Sequence, residues 1–400
     1  MRRSSLLIVL LLGTAAGCSQ HMMSSPLPAE PAMSMAREAP PGGGYKVLYS
    51  FKRNSDGQNP YAGMVAVKGT LYGTTNYGGK YNFGVFYKVS TAGAERVLHT
   101  FEGGGQNDGA EPYGALIVLN GTLYGTTYYG GSPPADYGEV YKASTAGAEH
   151  VVCSFQTSQG EFPYAGVVAL RGTLYGANYQ GGKRGYGTVY ACTTSGKVRV
   201  LHSFTLSPDG AYPYSPPAAL KGTLYGTTYQ GGTKGNTYGY GTVYKVTTSG
   251  AEHVLHKFTG YPSDGEYPVS GLLAVGGALY GTTAGGGAYS NGTVYKISPT
   301  GAEQVIYSFK GGSDGVGPRA TLIALKGTLY GTTASGGQYN QGTIYKVTTS
   351  GKEQLLHSFT GVAPDGSDPI GALVNLNGTL YGTTFYGGKY GDGIVFKVAP

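Results

Sequence analysis

One seven-residue phrase, Gly-Thr-Leu-Tyr-Gly-Thr-Thr, recurs from one end of this chain to the other. Its copies begin, with small changes such as Ala278 for Thr, at Gly69, Gly121, Gly172, Gly222, Gly277, Gly327 and Gly378. A fixed period of about 50 residues is typical of a repeat architecture, in which every unit is one supersecondary element. The chain is therefore expected to fold as seven similar units.

Each unit has the pattern of four short strands. In the first unit, the apolar run Met64–Val67 is followed by the turn Lys68-Gly69 and by the phrase itself, and two further strand-like runs lie at Val85–Val89 and Glu95–Phe101. With 72 Gly and 37 Tyr but only 12% charged residues, the composition favours short strands separated by turns. Four antiparallel strands in about 50 residues match one blade of a β-propeller.

The two ends of the repeated region complement each other. Tyr45–Phe51 has the sequence of a fourth strand without a first three, whereas Gly371–Val398 supplies three strands and lacks a fourth. The sequence therefore predicts an all-β, seven-bladed β-propeller of four-stranded antiparallel blades over residues 45–400. Tyr45–Phe51 is expected to pair beside Ile394–Val398 and so complete the C-terminal blade, because closure removes free sheet edges.

The N-terminus has the features of an export signal. Residues 1–17 contain Arg2-Arg3, an apolar stretch and the small residues Ala15-Ala16-Gly17, as a signal peptide does. Cys18 directly afterwards resembles a bacterial lipobox, which implies lipidation of Cys18 and, because Ser19 follows, an outer-membrane lipoprotein. Ordinary secretion with a free Cys18 is the alternative. Residues 18–44, rich in Pro, Ala, Ser and Met, are expected to form a disordered tether.

Strand connections must alternate between two faces of such a ring. The tight turns define one, called here the turn face, with basic residues at Lys68, Arg171, Lys221 and Lys326; it is expected to be a mildly basic, soluble surface. The long loops define the other, called here the loop face. One set of loops carries an Asp-Gly-x-x-Pro motif (Gln159-Gly160 replaces Asp-Gly once), and the other follows Gly-Gly and is rich in Tyr, Asn and Gly.

Loops on a rigid scaffold are where binding residues concentrate, and Tyr combines a large contact area with a polar tip. The loop face is therefore predicted to bind a glycan or a protein, although the same tyrosines could simply pack between blades. The candidate ligand-binding residues are Tyr77, Tyr81, Tyr128, Tyr129, Tyr179, Tyr186, Tyr238, Tyr240, Tyr386 and Tyr390.

The acidic residues indicate an alternative function, that of an enzyme acting on polysaccharide. Glu111, Glu161, Glu266 and Asp368 lie just before the motif prolines and could bring carboxylates to the channel mouth for general acid and base chemistry. The repeated motif aspartates are expected to form Asx turns instead. His99, His202, His256 and His357 share one fourth-strand position with Tyr49, Cys153 and Tyr307, which indicates a packing position rather than a metal cage.

The sequence lacks the motifs of several other functional classes. The sequence has no phosphate-binding glycine loop, no zinc-type Cys or His spacing and no nucleophile elbow, so no cofactor, metal or catalytic residue is predicted. Its Lys residues are spread over the repeats, which argues against a nucleic-acid binder, and the protein is expected to be monomeric. Cys153 and Cys192 have the pattern of isolated buried thiols, with a disulfide in an oxidising compartment as the alternative.

The ordered series of motifs, from Asp-Gly-x-x-Pro through the phrase to Gly-Thr-Val-Tyr-Lys-Val and Leu-His-Ser-Phe, resembles the GloVer tandem repeat of bacterial extracytoplasmic proteins. The resemblance covers residues 45–400 and implies export and attachment, but no reaction or ligand. Near-identical blades favour a non-catalytic binding protein of the cell envelope, with the enzyme and a structural scaffold as alternatives.

Overall fold

A computed structural model describes residues 44–104, 107–132, 136–233 and 238–400. The predicted signal peptide and the tether up to residue 43 lie outside the described residues. Residues 42–400 form one compact unit by themselves, and every regular element described in them is a strand. No helix in the described part of the chain is long and apolar enough to cross a membrane.

The strands form seven four-stranded antiparallel sheets, so the predicted seven-bladed propeller is confirmed. The first strands, which contact those of neighbouring blades and so surround the central channel, are Val65–Val67, Ile117–Leu119, Val168–Leu170, Ala218–Leu220, Leu273–Val275, Ile323–Leu325 and Val374–Leu376. The second strands, which contain the repeated phrase, are Thr70–Thr75, Thr122–Thr127, Thr173–Asn178, Thr223–Thr228, Ala278–Thr283, Thr328–Thr333 and Thr379–Thr384. Blades 1 to 7 are numbered in this order.

The outer half of each blade is built from two longer strands. The third strands are Val85–Ser90, Glu139–Ala143, Thr188–Thr193, Thr242–Thr247, Thr293–Ile297, Thr343–Thr348 and Ile394–Val398. The fourth strands of blades 1 to 6 are Glu95–Thr100, Glu149–Ser154, Val198–Ser203, Glu252–Lys257, Glu303–Ser308 and Glu353–Ser358, and that of blade 7 is Lys46–Ser50. Two-residue strands at Gly109–Ala110, Tyr129–Gly130, Gly265–Glu266, Gly285–Gly286, Gly366–Ser367 and Tyr386–Gly387 join the two loop types of the loop face.

The predicted closing strand pairs as expected. Val47 lies opposite Phe396 and Tyr49 opposite Val395, with a bulge at the residue between them. The third and fourth strands of the other six blades have a bulge at the equivalent position. The N-terminal strand therefore completes blade 7 with the same geometry that every other blade has within itself.

The repeated phrase has this composition because its side chains alternate between two blade interfaces. In blade 1, Leu71 packs toward blade 7 beside Tyr381, whereas Tyr72 packs toward blade 2 beside Leu123. All seven phrase tyrosines are at most 7% exposed. The glycine after each tyrosine is required by close approach: in blade 4, a Cβ on Gly226 would lie 2.3 Å from Tyr244 Oη of the third strand.

A disulfide joins two neighbouring blades. Cys153 lies on the fourth strand of blade 2 and Cys192 on the third strand of blade 3, and the two are bridged across a separation of 39 residues. The expectation of isolated thiols is therefore wrong, and the alternative of a bridge is the one observed. Sequence spacing alone could not decide this because the contact forms between repeats.

The motif Asp-Gly-x-x-Pro ties each blade to the one before it. The residue just before each proline is left-handed, with φ between 55° and 65°. In the loop leading to blade 3, Phe162 N donates to Tyr137 O of blade 2 (2.9 Å), and Tyr179 N donates to Phe162 O (3.0 Å); equivalent bonds occur in all seven blades. This fixed geometry turns the residue after the proline toward the channel axis.

Candidate functional site

A cavity of about 640 Å³ lies at the mouth of the central channel on the loop face. All seven blades contribute to it the residue that follows the motif proline: Tyr61, Tyr113, Tyr164, Tyr214, Val269, Arg319 and Ile370. Four successive blades therefore present a tyrosine to the cavity, and the next three present an aliphatic residue or arginine. The cavity is asymmetric even though the backbone that builds it repeats.

The four tyrosines form a continuous aromatic arc. The rings of Tyr113 and Tyr164 are stacked, with centroids 4.5 Å apart, and Tyr61 meets both of them edge-on at 5.1 and 5.4 Å. Tyr214 meets Tyr164 edge-on at 4.8 Å. All four side chains are half-buried. Each ring therefore keeps its neighbours in place and still exposes part of its surface to the cavity.

A second tier of aromatic rings supports this arc. It is formed by the residue directly after the repeated phrase, which is Tyr128, Tyr179, Tyr229 or Phe385 in blades 2, 3, 4 and 7. Tyr179 lies 4.8 Å and Tyr229 5.1 Å from Tyr214 between ring centroids, and Tyr128 stacks on Phe162 at 4.8 Å. Supporting rings of this kind hold the cavity tyrosines in defined orientations before a ligand arrives.

The opposite side of the cavity carries smaller residues and its charges. Ala284 and Ala334 replace the second-tier aromatic residues in blades 5 and 6. Glu266 and Arg319 are the acid and the base among the described residues that line the cavity. Arg319 is exposed, while Glu266 Oε1 accepts a hydrogen bond from Tyr261 N at 3.0 Å. The cavity thus has one aromatic wall and an opposite side of smaller residues that carries its two charged side chains.

The phenol groups of the arc stay protonated at neutral pH. Burial raises the pKa of Tyr61, Tyr113, Tyr164 and Tyr214. Burial likewise raises the pKa of Tyr128 in the second tier to about 12. These hydroxyls can donate and accept hydrogen bonds, but they cannot act as general bases at neutral pH. The arrangement suits recognition of a ligand with many hydroxyl groups.

The predicted loop tyrosines surround the cavity rather than line it. Tyr77, Tyr128, Tyr179 and Tyr186 are half-buried and pack around the cavity tyrosines or their neighbours. The exposed members form an outer rim: Tyr81, Tyr129, Tyr238, Tyr240, Tyr386 and Tyr390, at 37 to 64%. Their assignment to ligand binding stays a prediction.

The predicted channel-mouth acids are not gathered into a pair on the cavity wall. Of the four, Glu266 alone is among the lining residues described. Glu111 accepts a hydrogen bond from Tyr77 Oη at 3.3 Å, and Glu161 bridges Gln180 through its backbone. Burial raises the pKa of Asp368, and the positive charge of Arg319 offsets part of that rise.

Sequence reasoning missed the cavity tyrosines because the motif was defined only as far as its proline and the next residue was not compared between repeats. A signal was present. The position after the proline is Tyr in four repeats and Val, Arg or Ile in three, whereas the proline itself is present in all seven.

The motif aspartates are engaged in contacts within the fold: each contacts a side chain of a fourth strand, at the outer edge of a blade. His202 Nε2 lies 2.8 Å from Asp209 Oδ2, and His256 Nε2 lies 3.0 Å from Asp264 Oδ2. Tyr49 and Tyr307 donate to Asp56 and Asp314 in the same way. Each of these aspartates also accepts a backbone N–H of its own loop.

A glutamate from the next blade joins most of these pairs. His99, Asp108 and Glu149, and likewise His256, Asp264 and Glu303, place ligand-type atoms within 4.8 Å of one another. Two equivalent groups contain Tyr in place of His and keep the same aspartate contact, so hydrogen bonding explains the arrangement. We call these groups the rim triads. At the interface between blades 2 and 3 all three members are replaced, by Cys153, Gln159 and Val198, and the disulfide lies there instead.

Because of the rim triads, we expect the free energy of unfolding to fall as the pH rises. Burial, together with neighbouring aspartates, raises the pKa of Glu149, Glu95 and Glu353 to about 7; Glu252 and Glu303 behave alike. The folded state therefore holds more protons than the unfolded state between about pH 4.5 and 7, and unfolding becomes easier through that window.

Although burial opposes it, Asp108 also raises the pKa of His99, which acts in the same direction. The pKa of Asp209 and of Asp264 is lowered. This affects the pH dependence of stability only below the ordinary pKa of an aspartate. We expect residues 42–400 to melt roughly 5 °C higher at pH 5.5 than at pH 8, measured by calorimetry at constant ionic strength. A melting temperature that rises from pH 5.5 to pH 8 would contradict this assignment.

Known structures share the architecture. A virginiamycin B lyase from Staphylococcus aureus has a TM-score of 0.57 at 15% identity, covering 89% of this chain and 99% of that one. A puromycin hydrolase has a TM-score of 0.52 at 12% identity, covering 81% of this chain and 50% of that one. At such identities the likeness concerns the fold alone.

The comparison with curated protein sequences gave no match. A family model does match, over residues 35–237 and 233–400, and so includes all seven blades. The matched residues include every copy of the repeated phrase, of the Asp-Gly-x-x-Pro loop and of the fourth strand. On this evidence the chain belongs to the Gloeobacter/Verrucomicrobia repeat family.

Proposed function

We propose that this protein is a non-catalytic glycan-binding protein of the cell envelope, with its ligand in the tyrosine-lined cavity on the loop face. The observation that carries the proposal is the arc of Tyr61, Tyr113, Tyr164 and Tyr214 at the channel mouth. Aromatic rings pack against the C–H faces of sugars, while their hydroxyls reach sugar hydroxyls. A volume of about 640 Å³ falls in the range of small-ligand sites.

The cavity chemistry favours binding over hydrolysis. Hydrolysis of a glycosidic bond in the common way uses two carboxyl groups facing each other across the bond. Among the described lining residues, Glu266 is the one acid, and the phenols are too weakly acidic to replace the second. A protein ligand is less favoured because a concave cavity suits a small or chain-end ligand better than a broad protein surface.

The proposal includes attachment to the envelope through a lipid on Cys18. Its support is the lipobox-like sequence together with the disulfide, since disulfides persist mainly in exported proteins. To test it, cells that produce either the full chain or a Cys18→Ala variant are labelled with a radioactive fatty acid and then fractionated. Label on the natural chain and release of the unlabelled variant are expected. If both proteins associated equally with the membrane and neither carried the label, the proposal of a lipid anchor would be wrong.

Binding is tested with the fragment 42–400, which contains every strand of the ring. A glycan array should identify a ligand, and calorimetry should then show that Tyr164→Ala weakens binding at least about 30-fold, as expected for a central aromatic anchor. Tyr339→Ala is the matched control, because Tyr339 is an exposed loop-face tyrosine that does not line the cavity. It should change binding less than twofold.

A second variant guards against a folding artefact. Val269→Tyr fills the side of the cavity opposite the aromatic wall with the residue that four other blades carry at this position, so the backbone tolerates it. It should block the ligand while leaving the melting temperature unchanged. Failure to bind any glycan, or binding that neither Tyr164→Ala nor Val269→Tyr affects, would overturn the proposal. Tyr129→Ala, Tyr186→Ala and Tyr240→Ala are expected to have smaller effects, because these side chains lie outside the cavity lining.

A further inference from the structure

The turn face is far more basic than its repeated Lys-Gly turns suggested. Among the described residues, fifteen Lys and Arg lie in the turns of this face or on strand positions one or two residues from them. They are Lys46, Lys68, Lys88, Arg96, Lys142, Arg171, Lys197, Arg199, Lys221, Lys245, Lys296, Lys326, Lys346, Lys352 and Lys397. Nine of them are exposed and six are half-buried.

The acids near this face do not balance these charges. In the described residues, they are the five glutamates of the rim triads, which are half-buried between blades. Each has one carboxylate oxygen buried without a hydrogen-bond partner. On the loop-face side of the described residues, by contrast, Asp and Glu outnumber Lys and Arg by fourteen to nine. The ring is therefore strongly polarised between its two faces.

The chain enters the ring on this same basic side. Each fourth strand starts at the turn face, and Lys46–Ser50 is the fourth strand of blade 7. Gly44 accordingly lies beside Ala399 at the end of the last third strand. Cys18 precedes Gly44 by 26 residues, so a lipid anchor on Cys18 would be joined to the ring from its turn-face side.

We infer that the turn face docks onto an anionic phospholipid surface through its ring of lysines and arginines, and that this directs the glycan cavity away from the membrane. The choice of a membrane as the partner rests on the proposed Cys18 anchor. Basic residues near an anionic bilayer each contribute favourably, and their effect fades within a Debye length. A broad ring of charges matches a flat surface, and the positive charge is spread over all seven blades.

The test uses fragment 42–400, which lacks Cys18, so its outcome is independent of both lipidation and glycan binding. Binding is measured by co-sedimentation with vesicles of phosphatidylcholine alone or with about a third phosphatidylglycerol, at low and high salt. Lys68→Asn, Arg171→Asn, Lys221→Asn and Lys326→Asn are combined in one variant. Asn already occupies the same turn position at Asn120 and Asn377, with the same left-handed backbone, so the fold is preserved.

The natural fragment should bind the phosphatidylglycerol vesicles, and salt should release it. Since each basic residue near the surface is worth roughly fivefold in binding, the turn-face variant should lose at least about 20-fold. The matched control removes the same charge from exposed loop-face positions, as Lys52→Asn, Lys183→Asn, Lys257→Asn and Lys310→Asn, and should lose less than threefold.

Three results would overturn the inference. The natural fragment could ignore anionic vesicles at low salt, or the two variants could lose binding equally. The third is binding to a soluble polyanion such as heparin without binding to vesicles, which would assign the face to a polymer instead.

Discussion

A fragment that begins at Lys52, and so lacks the closing strand, is expected not to fold as a stable monomer. It loses the pairing of Lys46–Ser50 with Ile394–Val398 and the fully buried Phe51. Leu48 and Tyr49, which pack against the blade 7 to blade 1 cluster, are lost as well. Burying a large apolar side chain is worth about 1.5–3 kcal/mol. The loss is therefore comparable to the 5–15 kcal/mol by which most domains are stable.

The missing strand also leaves Ile394–Val398 as an open edge, which invites pairing between molecules. Circular dichroism melting and size-exclusion chromatography of fragments 52–400 and 42–400 measure both effects. A synthetic peptide of residues 42–51 added to the shorter fragment is the control, because it should restore part of the melting transition. A monomeric 52–400 fragment with an unchanged melting temperature would show that the ring does not depend on this strand.

Gly226→Ala is expected to destabilise fragment 42–400 by about 3 kcal/mol. The new Cβ would lie 2.3 Å from Tyr244 Oη and 2.5 Å from Tyr244 Cζ, and Tyr244 is fully buried between blades. Overpacking a close-packed interior typically costs about 1–3 kcal/mol, and the aromatic ring of Tyr244 has little room to move. Urea unfolding measures the change.

A double-mutant cycle isolates the cause. Tyr244→Leu alone should destabilise the fragment by leaving a cavity, but combined with Gly226→Ala it should cost clearly less than the sum of the two changes. A coupling of more than about 1 kcal/mol supports direct contact between these residues. Strict additivity would mean that the glycine is required for some other reason than the tyrosine lying on it.

The fold was predictable because its determinants repeat. The alternation of Leu71 and Tyr72 toward two neighbouring blades is a local period-two pattern, and it is present seven times. The closing strand was also predictable, since Tyr45–Phe51 has the sequence of a fourth strand. Both inferences needed only the comparison of one repeat with another.

The cavity was not predictable to the same degree. Which loop residue turns toward the axis depends on the left-handed residue before the proline and on its hydrogen bond to the preceding blade, as at Phe162 and Tyr137. Those contacts join residues of different repeats, so a pattern within one repeat does not contain them. The loop tyrosines that the pattern did indicate, such as Tyr179, lie one layer behind.

The disulfide illustrates the same limit. Cys153, Gln159 and Val198 each depart from the repeat, and separately they look like unrelated variations. The structure places all three positions at the interface between blades 2 and 3, where Cys192 completes the bridge. Departures from a repeat become informative once it is known which positions face each other across blades.

The most direct test of the functional account is a crystal structure of fragment 42–400 soaked with the best ligand from the glycan array. We expect sugar density in the channel-mouth cavity, with a pyranose ring against Tyr113 or Tyr164 and hydroxyls near Arg319 or Glu266. Density confined to the outer-rim tyrosines, or to the turn face, with the cavity unoccupied, would contradict it.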